Sequence, residues 1–179
     1  MPQNEPSHPT PLDLVLDAVI EIPKGSRTKY EVDHASGRIR LDRMLFTATR
    51  YPSDYGFFPD TLAEDGDPLD VLVLVDEATF PGCIVAVRPI ALFLMTDEHG
   101  PDAKILAVPA SDPRFQHYQD LDDVDPFRLA EIWHFFQTYK QIEPGKRTET
   151  AGWRRCASAV SATVAAQRRH TAADDDDRR

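Results

Sequence analysis

The chain has 179 residues, 41% of them hydrophobic and 28% charged, a composition that fits one soluble domain with one core. Its 30 Asp and Glu against 20 Lys and Arg give a formal net charge of -10, which repels nucleic-acid phosphates with no basic stripe to offset it. No apolar run nears the ~20 residues that span a bilayer, so neither a nucleic acid nor a membrane is an expected partner.

Residues 1–11 are polar and proline-rich, which predicts a disordered N-terminal extension without an apolar signal core, and hence a cytoplasmic protein. Leu12, Leu14, Leu16, Ala18, Ile20 and Ile22 recur with period 2, as on one buried face of a strand. Lys29–Val32 and Arg38–Leu41 alternate too, and residues 33–37 between them read as a hairpin turn. Asp70–Val75, Cys83–Met95 and Lys104–Val108 are further strands, and Pro89 inside the second marks an edge or a bulge. Asp125 and Pro126 start a helix with apolar Leu129, Ile132, Trp133 and Phe136, which Pro144-Gly145 stops. A second helical pattern runs from about Trp153 through Ala157, Val160 and Val164. Residues 171–179, with four adjacent aspartates, read as a solvated, disordered acidic tail. Cys83 and Cys156 form no C-x-x-C pair and sit in apolar stretches, as buried free thiols do in a reducing compartment. Many short strands followed by two helices predict an α+β domain, its strands curled into a small barrel with the helices outside.

Chemistry concentrates in Asp65-Gly66-Asp67-Pro68-Leu69-Asp70, three carboxylates on one tight turn ahead of a strand. Like charges so close repel unless a cation sits among them. An EF-hand loop is excluded, because Asp70 stands where its glycine belongs and Asp76 where its glutamate belongs. Asp97 and Asp102 flank a later turn, and Asp102 shares a strand face with Lys104, as Glu31 does with Lys29. Glu21 adds a carboxylate near the end of the first strand. Carboxylates alone suit a bare metal. Interleaved with Lys29, Arg43 and Lys104, they suit a metal carrying phosphate. Tyr51, Tyr55 and Tyr139 can donate to phosphate oxygens without adding charge; read singly, each is equally a core residue, and Lys140 a helix-end charge.

These motifs, Y-P-S-D-Y-G before D-G-D-P-L-D and D-E-H-G-P-D-A-K after it, resemble the signature of the family I soluble inorganic pyrophosphatases. E-I-P-K-G-S-R-T-K-Y-E-V-D, L-D-R, H-F-F-Q-T-Y-K and E-P-G-K fit as well, in order, over residues 12–170. The resemblance implies a catalytic domain over 12–170 with a small closed OB-like barrel of about five main strands and two C-terminal helices packed outside. It implies that Asp65, Asp70 and Asp102 bind an activating metal pair, with Asp70 bridging, and that Glu21 and Asp97 hold further ions, Glu31 nearby. Asp67 takes the proton from the attacking water, a role sometimes placed at the position of Asp102. Lys29, Arg43, Tyr55, Lys104, Tyr139 and Lys140 bind the phosphates, and Tyr51 supports the pocket through a carboxylate. His34 and His99 resemble the actinobacterial branch, where they either tune metal affinity and pH response or stand idle in solvent. All-oxygen ligands favour several Mg²⁺ ions, with Mn²⁺ or Zn²⁺ as substitutes. The family also implies a homo-oligomer, typically a hexamer in bacteria.

Two other readings compete. A metal-dependent phosphohydrolase of nucleotides or polyphosphate lacks its Gly-rich phosphate loop here. A non-enzymatic barrel binding oligonucleotides conflicts with the acidic charge and the absence of basic residues interleaved with aromatic ones.

Overall fold

Residues 14–33 and 36–177 are described by a computed structural model; the extension at residues 1–11, Leu12 and His34 lie outside them. In chain order the elements are β1 (Leu16–Ile22), β2 (Thr28–Asp33), β3 (Arg38–Met44), β4 (Asp54–Phe57), β5 (Asp70–Val73), β6 (Ile84–Asp97), the short β7 (Gly100–Pro101), β8 (Lys104–Pro109), α1 (Pro126–Thr138), β9 (Thr148–Arg155) and α2 (Cys156–Asp177).

Five strands close a ring. β1 pairs antiparallel with β4, β4 with β5, and β5 runs parallel to β8; β8 pairs with β6, which returns to β1. β6 is long enough to serve β1 near its start, β8 along its middle and β9 towards its end. The proline expected to mark an irregularity does so: the β6–β8 register shifts between Pro89 and Ala91. β2 and β3 form a separate two-stranded sheet beside the ring.

Alternation divides most of the buried apolar residues of the ring between two clusters. Leu72, Leu106 and Val108 pack with Ile132, Phe135 and Phe136 of α1; Val71, Val73, Ile105 and Ala107 pack with Ala159 and Ala166 of α2. Ala18, Ile20 and Ile22 are fully buried, as their spacing predicts. Irregular pairing between Ile20 and Ile22 sends Ile22 to the first cluster and leaves the other two in the second. Gly56 lets β1 and β4 meet closely, because a Cβ there would stand 1.9 Å from the Val19 carbonyl oxygen.

α1 starts as predicted: Asp125 Oδ1 accepts from the Phe127 N–H at 2.8 Å, with Pro126 in the first turn. It ends at Thr138, ahead of Pro144-Gly145, because turns at Gln141→Thr138, Glu143→Lys140 and Lys146→Glu143 take over the backbone bonds. Two expectations need correction. Trp153 belongs to β9, where it pairs with Phe93 of β6; the helix begins at Cys156, whose N–H donates to Asp120 Oδ1 at 2.8 Å. The acidic segment is helical through Asp177. Thr171 Oγ1 donates to the Gln167 carbonyl at 3.0 Å, and His170 lies 3.7 Å from Asp174 one turn on. Residues 171–176 are exposed, so solvent surrounds an ordered helix: once nucleated, each added turn gains a backbone bond per residue.

Cys83 and Cys156 are both free, but only Cys156 is buried; Cys83 is half-buried. Among the described residues, no helix is long and apolar enough to cross a membrane.

Candidate active site

Parallel pairing of β5 with β8 sets Asp70 beside Lys104 at the start of both strands. The Lys104 ammonium, 2% exposed, reaches Asp70 Oδ2 at 2.7 Å and Asp102 Oδ1 at 2.8 Å, and contacts the Tyr55 hydroxyl at 3.1 Å. Tyr55, on β4, donates its hydroxyl to the same Asp70 oxygen. The expected shared face of Asp102 and Lys104 is therefore present, and it closes on a third strand.

Ahead of β5, Gly66 adopts a φ of 95°, a left-handed conformation that glycine takes without steric strain. That turn lets Asp65 Oδ1 accept from the Asp67 N–H at 3.1 Å and presents both carboxylates to solvent. On the opposite wall, β2 and β3 pair Lys29 with Arg43. The Lys29 ammonium bonds Glu31 and stands 3.2 Å from Asp42, which also bonds Arg43. The end of α1 supplies Tyr139 and Lys140, and Lys140 Nζ donates to Asp97 Oδ2 at 3.1 Å.

These walls enclose one cavity of about 1020 Å³. Glu21, Lys29, Glu31, Arg43, Tyr51, Tyr55, Asp65, Asp67, Asp70, Asp97, His99, Asp102, Lys104, Tyr139 and Lys140 all line it, so every site residue anticipated from the sequence except His34 meets here. His99 sits at the rim, its side chain 74% exposed and 3.8 Å from Glu98. Tyr51 is 2% exposed, and its ring packs on those of Tyr55 and Phe135, with centroids 5.4 and 4.7 Å away, so aromatic packing braces this wall. The sequence reading did not single out Asp42, Glu98, Glu143 or Lys146. Lys146 bonds Glu98, and Arg43 Nε lies 3.2 Å from Glu143. The signal was present in the quoted L-D-R, D-E-H-G and E-P-G-K segments, but Glu98 and Lys146 lie 48 residues apart and Arg43 and Glu143 lie 100 apart.

Burial and the charged partners it encloses together set the protonation of the cavity. Burial pushes the Glu21 carboxyl up to about 7, against the opposing hydrogen bond from the Val32 N–H. Asp102 also rises, through burial that the Lys104 charge only partly offsets. Burial acts to discharge Lys104, but Asp70 and Asp102 overcome it and hold the ammonium charged well beyond its ordinary range. Burial raises the Tyr51, Tyr55 and Tyr139 phenols far above their usual values, so they remain protonated donors. Glu98 goes the other way, to about 2: burial would raise it, but the Lys146 hydrogen bond and the Lys140 charge prevail.

Could such a site hold divalent ions? Among the described residues no three acid, histidine or cysteine side chains are already drawn together as an ion cage. The reason is visible: Asp70 and Asp102 share a cation that the chain itself provides, Lys104. The donor chemistry fits a hard ion, because the acids facing the cavity offer only oxygen and neither cysteine lines it.

The inorganic pyrophosphatase family matches residues 18–171. An inorganic pyrophosphatase of Streptomyces coelicolor is 61% identical over 137 residues, covering 76% of this chain and 84% of that protein. One of Methanosarcina acetivorans is 53% identical over 156 residues, covering 87% and 92%. The crystal structure of inorganic pyrophosphatase from Thermus thermophilus superposes with a TM-score of 0.87 at 46% identity, covering 96% of this chain and 97% of that one. With the match extending over the ring, both helices and every wall of the cavity, the chain belongs to the inorganic pyrophosphatase family.

Proposed function

We propose that this cavity hydrolyses inorganic diphosphate to two orthophosphates, with Mg²⁺ as the activating ion and Mn²⁺ or Zn²⁺ as possible substitutes. The observation that carries the reading is the mixture of signs on one wall: Asp70 and Asp102 clasp Lys104 within a cavity also lined by Arg43, Lys29 and Lys140. Diphosphate is polyanionic, so water approaches it only once charge is neutralised. Bound Mg²⁺ would supply that neutralisation and lower the pKa of water.

The chain's own residues do the rest. Asp65, Asp70 and Asp102 would hold the activating pair, with Asp70 shared, and Glu21 and Asp97 would hold further ions beside Glu31. Glu21 must first give up the proton that burial lets it keep to about pH 7. Asp67 accepts the proton of the attacking water; the alternative for that role is Asp102. Lys29, Arg43, Lys104 and Lys140 meet the charge that grows on the departing phosphate, and the Tyr55 and Tyr139 hydroxyls orient its oxygens. Tyr51 keeps Tyr55 in place through ring packing, and His34 and His99 tune metal affinity and pH response. The reading includes a cytoplasmic homohexamer, which light scattering tests.

Phosphate release from diphosphate and from ATP, each with Mg²⁺ and with a chelator, tests the function. Release from diphosphate that needs the ion and far exceeds release from ATP supports it. Equal turnover of the two substrates favours the nucleotide or polyphosphate phosphohydrolase.

A further inference from the structure

The E-P-G-K segment plays no part in the reading above, yet its first residue, Glu143, is buried against Arg43, which does line the cavity. The Glu143 side chain is 5% exposed. Arg43 Nε lies 3.3 Å from one of its carboxylate oxygens and 3.2 Å from the other. Arg43 Nη1 donates to Asp42. Two edges of the guanidinium are thus tied to acids, and Nη2 is the edge that neither acid engages. Glu143 is itself fixed by backbone: its N–H donates to the Lys140 carbonyl at 2.9 Å, and its carbonyl accepts from the Lys146 N–H at 3.2 Å.

That placement matters because β2 and β3 pair with no strand of the ring. A two-stranded sheet is marginal by itself, so the backbone bonds between residues 25–26 and Tyr51, the Val32–Glu21 bond and side-chain ties together hold Lys29 and Arg43 against the opposite wall. The Arg43–Glu143 pair joins the hairpin to the turn that begins at Lys140. We propose that Glu143 is a positioning residue, holding the Arg43 guanidinium by its Nε edge so that the remaining edge faces the phosphate. The proposal rests on Arg43 binding phosphate, as in the proposed function. Without Glu143 the guanidinium keeps only its Asp42 tie and can swing about it, and misplacement of about 1 Å in such a group can change rate as much as 10²-fold.

Three measurements test it. In the wild-type chain, NMR of the arginine Nε–H groups should show Arg43 exchanging much more slowly than exposed Arg38; equal exchange overturns the tie. Glu143→Gln should lower kcat/KM for diphosphate about 10-fold, mainly through KM, and speed Arg43 Nε–H exchange, whereas Glu143→Asp, which keeps the charge, should recover most of both. In an Arg43→Lys background, which lacks the Nε edge, Glu143→Gln should add no further loss. Wild-type kinetics in Glu143→Gln, or the same loss in both backgrounds, overturns the proposal. If Arg43→Ala hydrolyses diphosphate as well as wild type, the phosphate role of Arg43 falls instead, and the exchange rates still decide whether the tie exists.

Discussion

Replacing Lys104 by Met removes the ammonium between Asp70 and Asp102 while keeping most of the side-chain volume. Lys104 is 2% exposed, whereas the Asp70 and Asp102 side chains are 28% and 17% exposed, so the two acids retain a path to water. Removing one partner of a buried ion pair destabilises by about 3–5 kcal/mol, and that access favours the lower end, about 3 kcal/mol. For a chain of this size the loss corresponds to a Tm lower by about 6–12 °C. Urea unfolding of Lys104→Met in a chelator at pH 8 reads it directly. At pH 5 the deficit should shrink, because Asp102, already raised by burial, can neutralise itself by taking up a proton. Millimolar Mg²⁺ should shrink it further, because without the Lys104 charge Asp70 and Asp102 attract the ion more strongly, so the folded variant gains more by mass action than wild type does. The reasoning fails if the variant is as stable as wild type in chelator, or if Mg²⁺ leaves the deficit untouched.

Glu21 gives a pH dependence with a definite sign. Its carboxyl ordinarily titrates near 4.5 and is pushed by burial to about 7, so between those values the folded chain holds a proton that the unfolded chain has lost. Metal-free stability should therefore fall as pH rises through that window, by up to about 3 kcal/mol, and Glu21→Gln should flatten the slope in urea titrations. Gly56→Ala should destabilise by about 3 kcal/mol or more, because the added Cβ meets the backbone of β1; a Tm within a degree of wild type contradicts the close approach. Asp67→Asn should reduce kcat about 10²-fold or more, on the scale of general-base catalysis, with the fold intact by circular dichroism. Full activity would move the proton-accepting role away from Asp67.

Local pattern revealed the elements whose signals are local. Alternation located β1, which begins at Leu16 rather than Leu12, Pro89 announced its bulge, and Asp125-Pro126 announced α1. Non-local pairing was hidden. Trp153 looked helical because apolar spacing continues through it, but its pairing with Phe93, sixty residues earlier in the chain, makes it a strand residue. The start of α2 depends on Asp120, a cap no local motif displays. The same division holds within the cavity. Asp65, Asp67 and Asp70 are conspicuous because they crowd one turn. Glu143 is not, because its partner Arg43 lies a hundred residues away. The acidic end of α2 misled for a different reason: four aspartates at a helix C-terminus oppose the macrodipole, yet His170 pairs with Asp174 on a helix already formed.

Calorimetric titration of Mg²⁺ into the wild-type chain and into Asp70→Asn at pH 8 bears most directly on whether these acids form a metal site. Wild type should bind saturably, and Asp70→Asn at least about 10-fold more weakly, a difference of about 1.4 kcal/mol. Equal affinity in the two proteins, or no saturable binding to either, would contradict a metal site at these acids.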